Sequence, residues 1–181
     1  MTMVLNHYFT LVDKSFPEKQ NLLNQGFKLH GPQSHKGQGT SAEFVLFPQN
    51  YFEYIWIDDL EASKKNLLKL HRRYQKGACR YGLCFAGALP EKLKKDFILY
   101  RPPFSPNTKL MVLKESIDDL SMPLIFMSAN SSDPKDFEPQ SNKKISMDVF
   151  NPQDKFFMPE DIKDVKIPDC FKDIIIRLAC G

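Results

Sequence analysis

Between Leu29 and Asp59 the chain sets a loop of Gly, His, Pro and Ser against two strand-like runs, Ser41 to Phe47 and Tyr51 to Ile57. Runs this rich in aromatic and β-branched residues demand a sheet with at least one covered face. The second run carries one acid, Glu53, in an otherwise aromatic and apolar setting. A charged group in such a strand is rare unless it is paired, exposed or bound to a metal. Glu53 is therefore the first candidate for chemistry.

Its most plausible partner lies in the opening segment. Met3 to Val12 reads as a strand in which His7 shares a face with Leu5, Phe9 and Leu11, while Tyr8, Thr10 and Val12 take the other. The same alternation in Tyr51 to Ile57 puts Glu53 with Tyr51, Ile55 and Ile57, and Trp56 with Phe52 and Tyr54. A face of aromatic and aliphatic groups with one carboxylate has the usual composition of a small-molecule site. The bland reading is a hydrogen-bonded His7, and a Glu53 that is exposed or paired with Arg80 or Arg101.

The rest of the chain reads as follows. Asp13 and Ser15 cap a short helix containing Phe16, Leu22 and Leu23, and Gly26 stops it. Phe27 to His30 is a brief strand and Gly31 to Thr40 a loop. Pro48-Gln49-Asn50 joins the two runs as a hairpin. Asp58-Asp59 caps a helix over Leu60 to Tyr74 with a leucine stripe. Strand-like segments follow at Arg80 to Gly87, Phe97 to Tyr100, Leu110 to Lys114 and Leu124 to Ala129, with a helical turn at Pro90 to Lys95. Asn130 to Lys144 is a polar loop or linker. Ile145 to Phe150, Ile162 to Ile167 and Ile174 to Leu178 are further strand candidates. Most of the 13 prolines fall after residue 90, so the second half is the more interrupted.

Bulk properties exclude several classes. The 181 residues suit one domain or two modules sharing a core. A net charge of +3 is too weak to argue for nucleic acid, and the lysine clusters at Lys64–Lys65, Lys69 to Arg73 and Lys92 to Lys95 fit solvated helix faces. The four cysteines, Cys79, Cys84, Cys170 and Cys180, match no zinc spacing. Reduced thiols are the simple reading, with a disulfide from Cys79 or Cys84 to Cys170 or Cys180 left open. No signal peptide or apolar run of 18 residues is visible, so the expected location is cytoplasmic, with no membrane partner. His35 lies in the Gly-rich loop and could position a ligand. Gly37-x-Gly39 is not a phosphate loop, because the G-K-[ST] ending and the following helix are missing. Arg101, before Pro102-Pro103, could meet an anion or form a salt bridge.

A series of short motifs resembles the glyoxalase-like domain proteins of the vicinal oxygen chelate superfamily. They are Leu5-Asn6-His7, Gly26-Phe27, His35-x-Gly37-x-Gly39-Thr40, and Tyr51-Phe52-Glu53-Tyr54 followed by Ile57-Asp58-Asp59. Gly77-Ala78-Cys79 with Tyr81-Gly82-Leu83-Cys84, and Tyr100-Arg101-Pro102-Pro103-Phe104, continue the series. Order and spacing carry the likeness, which is best over residues 5 to 127. It implies an α+β fold of paired βαβββ modules around a cleft, and a single glyoxalase-like domain over 1–181. The expected divisions are a first module at 1–59, a linking helix and middle strands at 60–129, and an irregular or incomplete second module at 130–181.

The resemblance also implies a divalent metal, Zn, Fe, Ni or Mn, held by His7 and Glu53 with further ligands from the second module. There the chain departs from the family. Gln140, in Phe137-Glu138-Pro139-Gln140-Ser141-Asn142, stands where His is expected. Three functions follow as expectations. The first is a metal-dependent lyase, isomerase or dioxygenase acting on a small organic molecule, with His7 and Glu53 as catalytic and metal-binding residues. His35, Tyr51, Trp56 and Arg101 would then shape or charge the pocket. The second is a metal-free small-molecule binding protein, and the third a structural interaction domain. A homodimer in which a partner covers the cleft fits the first two.

Overall fold

The computed structural model describes residues 4–24, 26–46, 51–89 and 91–128. The Pro48-Gln49-Asn50 connection, Gln140, Cys170, Cys180 and the strand candidates after Ala129 lie outside the described residues.

One mixed eight-stranded sheet organises this part of the chain. Strand β1 (Val4–Leu11) is followed by helix α1 (Lys19–Asn24) and strands β2 (Leu29–His35), β3 (Thr40–Leu46) and β4 (Tyr51–Ile57). Helix α2 (Leu60–Lys65) and a 3-10 turn, Leu70–Tyr74, lead to β5 (Tyr81–Ala86). A second 3-10 turn, Glu91–Asp96, precedes β6 (Phe97–Tyr100) and β7 (Leu110–Leu113). Helix α3 (Lys114–Asp118) and β8 (Leu124–Ser128) complete the order. The strands lie side by side as β2-β3-β4-β1-β5-β8-β7-β6. Strand β1 pairs in parallel with β4, β5 pairs in parallel with β8, and the antiparallel β1–β5 pair joins the halves. Each half is thus a strand, a helical crossover and three strands, and the second runs in the mirror order of the first. This is the paired-module α+β fold.

The second module is made from Tyr81 to Ser128, the segment expected to hold only middle strands. It is irregular, as expected, and its described elements fall earlier in the chain than residue 130. Its crossover is a 3-10 turn, and β6 and β7 are four residues long. The sequence marks each of these segments, but not the pairing that joins them into a module. The helix expected over Leu60 to Tyr74 also breaks. Asn66 is extended, its Oδ1 accepts from the Leu68 backbone N–H at 3.0 Å, and Lys69 takes a left-handed φ of 47°. The break turns Leu68 and Leu70 inward, where both are buried. Burying two leucines is worth several kcal/mol, more than one unbroken helical turn supplies.

The two faces of the sheet carry separate cores. Tyr8, Phe52, Tyr54, Leu83, Phe85 and Ile125 pack on one face with Phe16, Leu22 and Phe27 of the α1 region. Phe9, Leu11, Ala42, Ile55, Cys84, Val112 and Phe126 pack on the other with Leu68 and Leu70. At the seam, Gly82 pairs with Phe9, and a Cβ there would overlap the Phe9 ring. Gly39 has φ +81°, and a Cβ on it would strike Asp59 O and Ser63 N. Its own carbonyl accepts from the Asp58 and Asp59 N–H groups, docking the β2–β3 turn on the start of α2. No helix among the described residues is long and apolar enough to cross a membrane.

Arg73 ties the connections together. It is 1% exposed. Its Nη1 donates to Cys79 O and Met122 O, each at 2.8 Å, and its Nη2 donates to Ser116 O. Among the described residues no carboxylate forms an ion pair with it. Burial pulls its pKa down to about 10, so it stays charged at neutral pH. One side chain thereby satisfies carbonyls before β5, in α3 and before β8. Arg73→Met keeps the stem and strands all three acceptors. It is expected to cost at least about 3 kcal/mol in urea denaturation, since each bond to a charged donor is worth about 1.5–3 kcal/mol. A loss under about 1 kcal/mol would show that the carbonyls find other partners.

Candidate functional site

The first-module faces read from sequence converge on one cavity of about 290 Å³. In the parallel β1–β4 pair His7 lies beside Tyr51 and Phe9 beside Glu53, which puts the imidazole and the carboxyl on one face as diagonal neighbours. A bulge in β1 between Leu5 and His7 breaks the alternation, so Asn6 lines the cavity as well. His35, the last residue of β2, arrives from the outer part of the same module. The second module adds Tyr100, Phe104, Leu110, Phe126 and Ser128.

Glu53 sits between two imidazoles. Its Oε2 is 3.8 Å from His7 Nε2 and its Oε1 is 3.6 Å from His35 Nε2. These separations exceed hydrogen-bond length. The ring orientations are set from behind. His7 Nδ1 is 2.9 Å from Asn6 Oδ1, and because a carbonyl oxygen can only accept, that nitrogen carries the proton. The lone pair on His7 Nε2 then faces Glu53. His35 Nδ1 is 3.1 Å from Thr40 Oγ1. Both imidazoles are also stacked, His7 on Tyr51 with centroids 4.4 Å apart and His35 on Phe104 at 4.3 Å.

Burial decides the charge states. Desolvation raises the Glu53 carboxyl to about 8 and lowers His7 to about 3 and His35 to about 4. At pH 7 the trio is therefore an acid and two neutral imidazoles. The expected pairing of Glu53 with Arg80 or Arg101 does not occur. Arg80 lies 3.5 Å from Asp13 and over the Tyr74 ring. Arg101 is exposed and absent from the cavity wall, although its neighbours Tyr100 and Pro102 line it. Trp56 points to the opposite face and packs near Phe16, as its place in the alternation requires. Of the six residues expected in a site, the structure brings together His7, Glu53, His35 and Tyr51, and leaves Trp56 and Arg101 apart.

The second module offers little to a metal. Cys84 lies opposite His7 in β5 and beside Phe126 in β8, and Ser128 follows Phe126 by two residues. Glu53 follows Tyr51, the partner of His7, by the same two residues. By this register the second-module counterparts of His7 and Glu53 are Cys84 and Ser128. Burial pushes the Cys84 thiol far up, with the nearby Glu53 adding to the shift. A serine hydroxyl is a poor ligand beside a carboxylate. Among the described residues no group of three His, Cys, Asp or Glu side chains converges to hold a metal. The described residues alone do not supply three protein ligands to one ion. Cys79, just before β5, is buried and lines no part of the cavity.

Sequence reading missed Asn6, Gln38, Thr40, Tyr100 and Phe104. The bulge hid Asn6. The other four are polar or aromatic residues in turns and short strands, and they acquire meaning only from the partner module.

No family model matches the chain, and no curated protein does. Several solved structures are similar at low identity. A hypothetical protein from Staphylococcus aureus is 16% identical with a TM-score of 0.46 over 72% of this chain, which spans 60% of that protein's length. Methylmalonyl-CoA epimerase from Mycobacterium tuberculosis is 12% identical with a TM-score of 0.46, over 69% of this chain and 86% of its own. A hypothetical protein from Bacillus halodurans C-125 is 12% identical with a TM-score of 0.49, over 72% and 96%. The paired-module arrangement rests on strand order and register rather than on these likenesses.

The charge states have a consequence for stability. The unfolded chain loses the Glu53 proton near 4.5 and the folded chain near 8, so the stability this group contributes is full below 4.5 and is lost as pH rises through 8. The two imidazoles act in the opposite sense, below their ordinary value of 6.5. Read as the difference from Glu53→Gln, which keeps both imidazoles, the window from pH 6.5 to 8 isolates Glu53. Across it the wild type is expected to lose about 1–2 kcal/mol relative to Glu53→Gln in urea denaturation. Parallel curves for the two proteins would contradict the neutral carboxyl.

Proposed function

We propose that the chain is a vicinal oxygen chelate fold protein that binds a small organic molecule in this cleft, and that binding needs no metal held by the protein. One observation carries the reading. A buried carboxyl lies between two imidazoles in a cavity whose wall combines aromatic groups such as Phe9, Phe44, Phe104 and Phe126 with polar ones such as Asn6, Gln33, Gln38 and Ser128. About 290 Å³ is near the lower end of the range for small-molecule pockets. Such a site fits a small molecule with an apolar ring and hydrogen-bonding groups. Among the described lining residues there is no Lys or Arg, so a strongly anionic ligand lacks a counter-charge.

A metal-dependent lyase, isomerase or dioxygenase is the second reading. Its support is the 3.8 Å between His7 Nε2 and Glu53 Oε2, a separation suited to two ligands with bonds of about 2.1 Å to one ion. The absence of a converging third ligand among the described residues favours the metal-free reading.

Binding is tested by ligand-observed NMR with single-ring neutral aromatic probes on the wild type and on Leu110→Trp, which places an indole on the cavity wall. Probe contact is expected in the wild type and at least a tenfold weaker response in the variant. Equal responses would place binding elsewhere. Titration of Zn²⁺ and Mn²⁺ in a calorimeter separates the readings. A stoichiometric site lost in His7→Ala would favour the enzyme, and no such site is expected.

A further inference from the structure

Behind His35 a chain of hydrogen bonds crosses from the first module to the second, and its direction is set at one end. The Leu68 backbone N–H donates to Asn66 Oδ1 at 3.0 Å, so the Asn66 amide nitrogen faces away and donates to Tyr100 Oη at 3.0 Å. Tyr100 then directs its own proton to Gln38 Oε1 at 2.8 Å. The other acceptor near it, Asn66 Oδ1, is at 3.4 Å and already engaged. With its oxygen taken, Gln38 turns Nε2 to donate to Thr40 Oγ1 at 3.0 Å. Thr40, 1% exposed, keeps one proton to place, and His35 Nδ1 at 3.1 Å is the acceptor in reach. Asn66, Gln38, Thr40, His35 and Tyr100 are each less than a tenth exposed, so water does not readily substitute for a missing partner.

We infer that Tyr100 is a positioning residue that acts through Gln38 and Thr40 to hold His35 as the Nε2–H tautomer, a hydrogen-bond donor facing the cleft. His7, with its lone pair on Nε2, faces the same carboxyl as an acceptor. Around Glu53 the cleft therefore presents a donor on one side and an acceptor on the other. That pattern matches a ligand with an oxygen that accepts from His35, such as a carbonyl. This choice of ligand class rests on the small-molecule reading above, whereas the tautomer does not. The Phe104 ring stacked on His35 comes from the segment just after Tyr100, so both second-module contacts hold the same imidazole.

The experiment is ¹⁵N NMR of the histidine ring nitrogens in the full chain at pH 7, with no ligand added, for wild type, Tyr100→Phe and Gln38→Met. His35→Gln assigns the signals. Wild-type His35 is expected mainly as Nε2–H. In Tyr100→Phe, which keeps the ring, the ratio of Nε2–H to Nδ1–H is expected to fall about fivefold, the equivalent of one net hydrogen bond. Gln38→Met should act in the same direction. His7 should be unchanged in both variants. A wild-type His35 in the Nδ1–H form would overturn the inference outright, even if a variant failed to fold. So would a His35 ratio unchanged in both variants. Failure of the neutral probes to bind would instead count against the ligand reading and leave the tautomer standing on its own measurement.

Discussion

A carboxyl removed from water with no cation beside it must be neutral or find a partner in a ligand. That constraint governs the cleft. Glu53 is 8% exposed and flanked by imidazoles that burial keeps uncharged. Arg73 and Arg80 are committed elsewhere, Arg73 to three backbone carbonyls and Arg80 to Asp13 and the Tyr74 ring. A proton on Glu53 is the least costly state. The raised pKa, the aromatic walls and the opposed polarity of His7 and His35 are parts of one arrangement.

The sheet makes this burial possible. The β1–β5 seam brings two modules edge to edge, and each contributes a parallel strand pair whose inward face lines the cavity. The halves are similar in path and unlike in chemistry. The first carries His7, His35 and Glu53, and the second carries Cys84, Ser128 and aromatic rings at the corresponding and neighbouring places. Paired modules of this kind can hold an ion between two sets of ligands. Here the first set holds two imidazoles and a carboxyl, and the second a thiol, hydroxyls and aromatic rings. The broken helix at Asn66 serves the same burial. It sends Leu68 and Leu70 under the cavity and offers an amide to Tyr100.

Much of the first module was legible from residues 1 to 59. Strict alternation in Tyr51 to Ile57 placed Glu53, Tyr51 and Ile55 on one face and Trp56 on the other, and the structure keeps that division. The same alternation argued against Trp56 as a pocket residue, which the expected site did not heed. The second module was legible in pieces. Its strands and helical turn were expected close to where they occur, but their assembly into a module was not, because strand pairing is set by long-range register. The bulge at Asn6 and the chain through Tyr100, Gln38 and Thr40 depend on long-range register, and local sequence does not contain it.

The protonation state of Glu53 tests this account most directly. A ¹³C NMR titration of the glutamate side-chain carboxyls, with Glu53→Gln to assign the resonance, reads it without ligand or denaturant. The account expects one carboxyl titrating near pH 8, absent from the variant. A Glu53 resonance that titrates between about 4 and 5, the ordinary range for glutamate, would mean a charged carboxylate in the cleft. The neutral, metal-independent site would then be contradicted.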